Sequence, residues 1–159
     1  MYRNNVDEGG KYLNIAGLQY NLNRRTLEIY VSGCYGKCKD CHNEEIWDFA
    51  EGTDFRLWFP KLKNRMETGL VDSIWLLGGD PMDQNKEELI ELIDYIRNDL
   101  SCKDLWLWTR YPQDEIPNKI LNRFNYLKTG EFLNDGSKYT CPLTGIELAS
   151  SNQKIIKLN

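Results

Sequence analysis

Three of the chain's five cysteines, Cys34, Cys38 and Cys41, stand in the segment SGCYGKCKDCHN, and the only histidine, His42, follows the third directly. Thiolates are soft ligands, so three of them on one loop suit zinc or an iron–sulfur cluster. Ligand count separates the two. Structural zinc usually takes four protein ligands in two spaced pairs, whereas His42 adjoins Cys41 and the remaining cysteines, Cys102 and Cys141, stand alone. A [4Fe-4S] cube normally takes one thiolate per iron, so three cysteines leave one iron open to another ligand. Two further readings stay open. The positions i, i+4 and i+7 share one stripe of a helix, which would make the cysteines a buried face, although Gly33, Gly36, Lys37, Lys39 and Asp40 suit a loop better. Cys41 and His42 also form a nucleophile–base pair on paper, but neighbouring side chains diverge and such pairs are usually assembled across a fold.

A second segment, GGDP at Gly78 to Pro81, lies 37 residues beyond Cys41. Paired glycines let backbone approach a ligand closely, and the Asp80 carboxylate can accept from an ammonium group. A plain turn between strand and helix is the alternative.

The elements around these segments read as alternating strand and helix. TLEIYVS (Thr26 to Ser32) alternates as a half-buried strand, with Gly33 ending it. DFRLWFPKLKNRMETG predicts a helix with Pro60 as a kink or an early-turn feature and Gly69 as its stop. SIWLL (Ser73 to Leu77) and DLWLW (Asp104 to Trp108) are short apolar runs suited to buried parallel strands. Between them NKEELIELIDYIRNDL predicts a helix with an Asn85–Glu88 capping box and an apolar face of Leu89, Ile90, Ile93, Ile96 and Leu100. TRYPQDEIP and a helix around Asn118 to Phe124 follow, then short strands and turns. The alternation predicts an α/β layer fold with a mainly parallel sheet. In such sheets ligands bind beyond the carboxyl ends of the strands, so the loops GCYGKCKDC, GGDP and TRYP should converge on one edge.

The totals fit this picture. A length of 159 residues, without repeat or linker, predicts a single domain over 1–159. Twenty Lys and Arg against 24 Asp and Glu give a net charge of -4, and with no basic run nucleic acid is not an expected partner. Neither a secretory leader nor a membrane-length apolar run is evident, which predicts a cytoplasmic address and no membrane partner. In that reducing compartment clustered cysteines point to metal binding or catalysis rather than disulfides. The tryptophans Trp47, Trp58, Trp75, Trp106 and Trp108 mostly lie in apolar runs and are expected in the core.

The C-x3-C-x2-C pattern CYGKCKDC, after a strand and a glycine, resembles the signature of the radical S-adenosylmethionine (SAM) enzymes. GGDP resembles their glycine-rich motif, with Asp80 where glutamate is usual. More narrowly, GGDP, LWTRY (Leu107 to Tyr111), YLKTGEF (Tyr126 to Phe132) and SSNQK (Ser150 to Lys154) resemble segments of the activating enzymes of anaerobic (class III) ribonucleotide reductase, from about residue 12 to the end. The resemblance implies a truncated radical-SAM-type β/α barrel that reductively cleaves SAM at a [4Fe-4S] cluster and generates a glycyl radical on the reductase. It implies Cys34, Cys38 and Cys41 as cluster ligands and an open iron chelated by the amino and carboxylate groups of SAM. Gly78, Gly79 and Asp80 would hold the methionine end, and Asp40, Cys41 and His42 would lie beside the adenosine. The aromatic that often precedes the third cysteine is replaced by Asp40, which leaves His42 as the ring near the adenine. Thr109 and Arg110 would line the same pocket. The implied partners are the large subunit of anaerobic ribonucleotide reductase and a reduced electron donor such as flavodoxin. Activation of another glycyl-radical enzyme, such as pyruvate formate-lyase, is the alternative, disfavoured by the absence of extra cluster cysteines. The alternative of another class is a zinc-binding structural module.

Overall fold

A computed structural model describes residues 12–159 and the backbone of Asn4–Asn5 and Gly9–Gly10. Those two short stretches, β1 (Asn4–Asn5) and β2 (Gly9–Gly10), pair antiparallel. There follow β3 (Asn14–Asn21), β4 (Thr26–Val31), β5 (Thr53–Asp54), α1 (Phe59–Glu67), β6 (Ser73–Gly78), α2 (Lys86–Asp94), β7 (Leu105–Trp108), α3 (Asn118–Leu121), β8 (Tyr126–Thr129), β9 (Tyr139–Thr140), β10 (Glu147–Leu148) and β11 (Lys154–Lys157).

The main sheet runs β11-β8-β7-β6-β4-β3-β5. Its centre, β4, β6, β7 and β8, is parallel. Antiparallel β3 and β5 finish one side and antiparallel β11 the other. The outermost strands do not pair with each other, so the sheet is open and mixed rather than closed.

Side chains alternate across a strand, so each central strand serves two faces. One face carries Leu27, Ile29, Val31, Ile74, Leu76, Leu105, Leu107 and Leu127, and it packs against Leu62 of α1, Leu89, Leu92 and Ile93 of α2, and Ile120 of α3. The inner face carries Trp75 and Trp106, roofed by Cys141, Ile146 and Leu148 from the tail around β9 and β10. Trp106 stacks on Tyr126 with ring centroids 4.3 Å apart, and Trp75 lies 4.6 Å from Trp108. Trp75 and Trp106 are thus core residues as expected, while Trp47, Trp58 and Trp108 are only partly buried.

Several element expectations shift in detail. The polar face of β4 is covered as well, because Glu28 on the inner face is only 9% exposed, so this strand is not half-buried. The helix expected from Asp54 begins as a 3-10 turn at Phe55–Trp58 and becomes α-helical at Phe59, with Pro60 in the first turn. The segment after Asn85 is α-helical through Asp94 and continues as a π-turn, Tyr95–Asp99. Its buried stripe is Leu89, Leu92, Ile93, Ile96 and Leu100, with Ile90 at the margin. Only half of the capping box forms: Asn85 Oδ1 accepts from Glu88 N–H, but the Glu88 carboxylate accepts instead from Leu13 N–H and Arg56. That choice ties the helix start to the strand side of the fold. The helix from Asn118 is a single turn ending at Leu121. Among the described residues no helix is long and apolar enough to cross a membrane.

Candidate functional site

Beyond the carboxyl ends of the parallel strands lies a cavity of about 360 Å³, lined by Cys34, Cys38 and Cys41 together with Gly78, Asp80 and Lys128 among others. The three unusual loops do converge there, as strand polarity requires.

The cysteine loop is closed on itself. Gly33 N–H donates to Ile46 carbonyl at 2.7 Å and Cys34 N–H to Trp47 carbonyl at 3.1 Å, so both ends of the excursion are pinned together. Within it Lys37 and Asp40 adopt positive φ of 45° and 60°, which excludes a helix. All three thiols are free; Cys34 is buried, Cys38 and Cys41 partly so. Burial pushes the Cys34 thiol up, reinforced by the Asp80 carboxylate. Backbone donors point at sulfur: Gly36 N–H to Cys34 Sγ at 3.3 Å, with Lys37 N–H beside it, and Asn43 N–H to Cys41 Sγ at 3.4 Å. Hydrogen bonds of this kind set the electronics of cluster thiolates.

This donor set fits an iron–sulfur cluster better than zinc. Sulfurs around one tetrahedral zinc, with bonds of about 2.3 Å, lie about 3.8 Å apart. The three thiols form no group gathered within 4.8 Å; among the described residues the group that does so is Cys34, Asp80 and Asp83. Those carboxylates already have donors of their own, as described below. No fourth thiol reaches the cavity among the described residues, since Cys102 belongs to the helix-side core and Cys141 to the inner-face cluster. The Cys41–His42 pair is not assembled either: His42 packs on Phe132 at 4.9 Å, and Cys41 Sγ accepts from Asn43.

GGDP has a different physical logic from the one its glycines suggest. Gly79 N–H donates to Val31 carbonyl and Asp80 N–H to Gly33 carbonyl, extending the pairing with β4. A Cβ on Gly79 would fall 2.3 Å from the Gly33 carbonyl oxygen, and one on Gly78 2.5 Å from Val31 N. These glycines are required by close approach to the chain's own backbone.

Asp80, 2% exposed, holds three loops together. Oδ1 accepts from Met82 N–H at 3.0 Å and Thr109 Oγ1 at 2.6 Å, and Oδ2 from Arg110 N–H at 3.0 Å. Burial and the neighbouring Asp83 push its carboxyl up to about 6, against the pull of those donors. Asp83 accepts from Tyr35 N–H, Arg110 Nη2 and the Tyr111 hydroxyl. The carboxylate pair therefore braces the cysteine loop against the loops after β6 and β7.

Of the residues expected at the site, Cys34, Cys38, Cys41, His42, Gly78, Gly79, Asp80, Thr109 and Arg110 all line the one cavity. Asp40 is exposed and its carboxylate accepts from Asn134 at 3.3 Å. Residues missed from sequence also line it: Glu28, Tyr30, Trp47, Trp108, Lys128, Phe132 and Gln153. Alternation along TLEIYVS placed Glu28 and Tyr30 on the polar face, and YLKTGEF and SSNQK contain Lys128, Phe132 and Gln153, but those segments carried no assigned role. Lys128 Nζ lies 5.4 Å from the Trp108 ring centre and donates to Gly130 carbonyl at 3.4 Å. Burial lowers its ammonium to about 8, partly offset by Asp80 and Cys38. The indole Nε1 atoms of Trp47 and Trp108 are buried without a partner. Orphaned donors on a cavity wall and a desolvated ammonium mark a place for a polar, anionic ligand group.

A single-cluster iron–sulfur domain is the class these features define, and residues 24–156 match the model of the 4Fe-4S single cluster domain family. The chain is similar to the anaerobic ribonucleoside-triphosphate reductase-activating protein of Enterobacteria phage T4, 30% identical over 131 residues that cover 80% of each chain. Its similarity to the protein of that name from Escherichia coli (strain K12) is 31% over 117 residues, 67% of this chain and 74% of the relative. The relative from Vibrio cholerae is 26% identical over 138 residues. No solved structure matches the chain. The chain belongs to the 4Fe-4S single cluster domain family, and within it to the anaerobic ribonucleoside-triphosphate reductase-activating proteins.

Proposed function

We propose that the chain is a radical SAM activating enzyme whose protein substrate is the large subunit of anaerobic ribonucleotide reductase. The observation that carries this is the convergence of Cys34, Cys38 and Cys41, with no fourth thiol among the described lining residues, on a cavity also lined by Lys128 and by the unpaired indole donors of Trp47 and Trp108. Cys34, Cys38 and Cys41 would hold a [4Fe-4S] cluster, which when bound and reduced would supply the electron for reductive cleavage of SAM and so the oxidising equivalent that removes hydrogen from a glycine of the partner.

The residues around it bind, orient and exclude water. Lys128 pairs with the carboxylate of SAM, which relieves the cost of its burial. The carbonyl groups of Gly78 and Gly79 accept from the amino group at the methionine end. Asp80 acts mainly by bracing the loops, since both of its oxygens already accept hydrogen bonds. His42 and the backbone of Asp40 to Cys41 border the adenosine. Trp47 and Trp108 offer their indole N–H groups to the polar atoms of the ligand.

The open sheet, read as a truncated radical-SAM-type barrel within a single domain over 1–159, leaves a side through which a protein loop reaches the cavity. A reduced donor such as flavodoxin delivers the electron, and the five free thiols suit a reducing cytoplasm. Anaerobic reconstitution with iron and sulfide tests the reading. The protein should turn brown and cleave SAM under reduction; a colourless protein that binds one zinc and leaves SAM intact would overturn it.

A further inference from the structure

In the segment SSNQK (Ser150 to Lys154) the side-chain amides of Asn152 and Gln153 are committed to hydrogen bonds. Gln153 is 3% exposed. Its Oε1 accepts from Ala149 N–H at 2.9 Å, and its Nε2 donates to the carbonyls of Gly130 and Glu131 at 3.3 and 3.4 Å. Asn152 Nδ2 donates to the same Glu131 carbonyl at 3.0 Å. The approach of the two segments is close: Gly130 has φ +106°, and a Cβ there would fall 2.9 Å from Asn152 carbonyl oxygen. Two residues beyond Gly130, the Phe132 ring packs on His42, and Asn134 donates to Asp40. A strip from Gly130 to Asn134 therefore runs from the amide clamp to the cysteine loop.

We propose that Gln153 is a positioning residue of the cofactor cavity: its side-chain amide holds Gly130 and Glu131 so that Phe132 seats on His42 and completes the cavity wall beside the cysteine loop. The pairing of β11 with β8 does not need this side chain, because that ladder runs through Lys154 to Lys157 on backbone groups. Besides Gln153 the strip is held by Asn152 Nδ2 on the Glu131 carbonyl, Lys128 Nζ on the Gly130 carbonyl and the Asn134–Asp40 contact; Glu131, Leu133, Asn134 and Asp135 are exposed, and exposed loop backbone with few buried contacts opens easily. Gln153 and Phe132 both border the cavity with the cysteines, so displacement of the strip opens one wall of it. This rests on reading the cavity as the SAM site, and it assigns to the tail the task of shaping it.

The test uses the full chain as wild type, Gln153→Glu, Phe132→Ala and the double variant. Glutamate keeps the acceptor for Ala149 N–H and removes the donors to Gly130 and Glu131, so it isolates the clamp from the tail's own fold. Hydrogen exchange of the cluster-free protein should quicken across residues 130–135 in Gln153→Glu while α2 exchanges as in wild type. After reconstitution KM for SAM should rise about tenfold with kcat unchanged, the order expected from two lost neutral hydrogen bonds. In the Phe132→Ala background the glutamate should add little, because the clamp acts through that ring. Unchanged exchange, or an effect on KM that adds in full to that of Phe132→Ala, would overturn the assignment. A wild-type protein that cleaves no SAM would defeat the proposed function instead, and the exchange arm would still decide whether Gln153 holds the strip.

Discussion

At the scale of single residues the cysteines divide by place. Cys34, Cys38 and Cys41 share the cavity, whereas Cys102 and Cys141 are buried elsewhere. Cys38→Ser should therefore lose the cluster on reconstitution, and Cys102→Ser should keep it; iron and sulfide content of the two variants checks this. Lys128→Met should weaken SAM binding by about 2 kcal/mol, the order of a charge-assisted hydrogen bond, measured by calorimetric titration of the reconstituted protein. The same lysine has a pH signature in the ligand-free chain. Its ammonium is lowered from 10.5 to about 8 by burial, so between those values the unfolded chain binds more protons than the folded one. The contribution of Lys128 to stability then rises as pH climbs from about 8 toward 10.5. Urea unfolding of wild type against Lys128→Met should show this slope in the first and not in the second. The cysteines were legible in sequence because their spacing is local and their chemistry narrow. Lys128 was not, because its meaning comes from a strand register that sets it on the inner face beside Trp108.

Elements are where local pattern and tertiary contact part company. The buried strands were legible as apolar runs, and the order strand, loop, helix is enough to put three loops on one edge. The reason for the glycines of GGDP was hidden, since a glycine needed for a ligand and one needed for a neighbouring strand look alike in sequence. Gly79→Ala would force a Cβ to within 2.3 Å of the Gly33 carbonyl oxygen, and separating β4 from β6 there should cost more than about 2 kcal/mol. Gly69 has a positive φ of 71°, but nothing lies within 4 Å of its Cβ position, so Gly69→Ala should cost only about 1 kcal/mol of backbone strain. Denaturant midpoints of the two variants compare these directly. Glu88 teaches the same lesson: its spacing from Asn85 announces a capping box, but a backbone N–H at Leu13 and the Arg56 guanidinium offer its carboxylate a better exchange.

For the whole molecule, an open sheet with one apolar face under helices leaves the other to a ring-lined interior and a cavity at its carboxyl edge. On the proposed function, that division lets a chain of this size hold a small cofactor and leave an open side for a protein substrate. It was legible as an α/β layer order, while the tail's part in closing the inner face was not, because strands of two to four residues carry too little pattern to predict. The most direct measurement combines reconstituted protein, SAM, a reductant and the reductase large subunit without oxygen, and records the paramagnetic resonance spectrum. A glycyl-radical doublet on the large subunit, lost with Cys38→Ser, is the predicted result. A spectrum without that doublet, from a preparation in which cluster and SAM are both shown to be bound, would contradict the account.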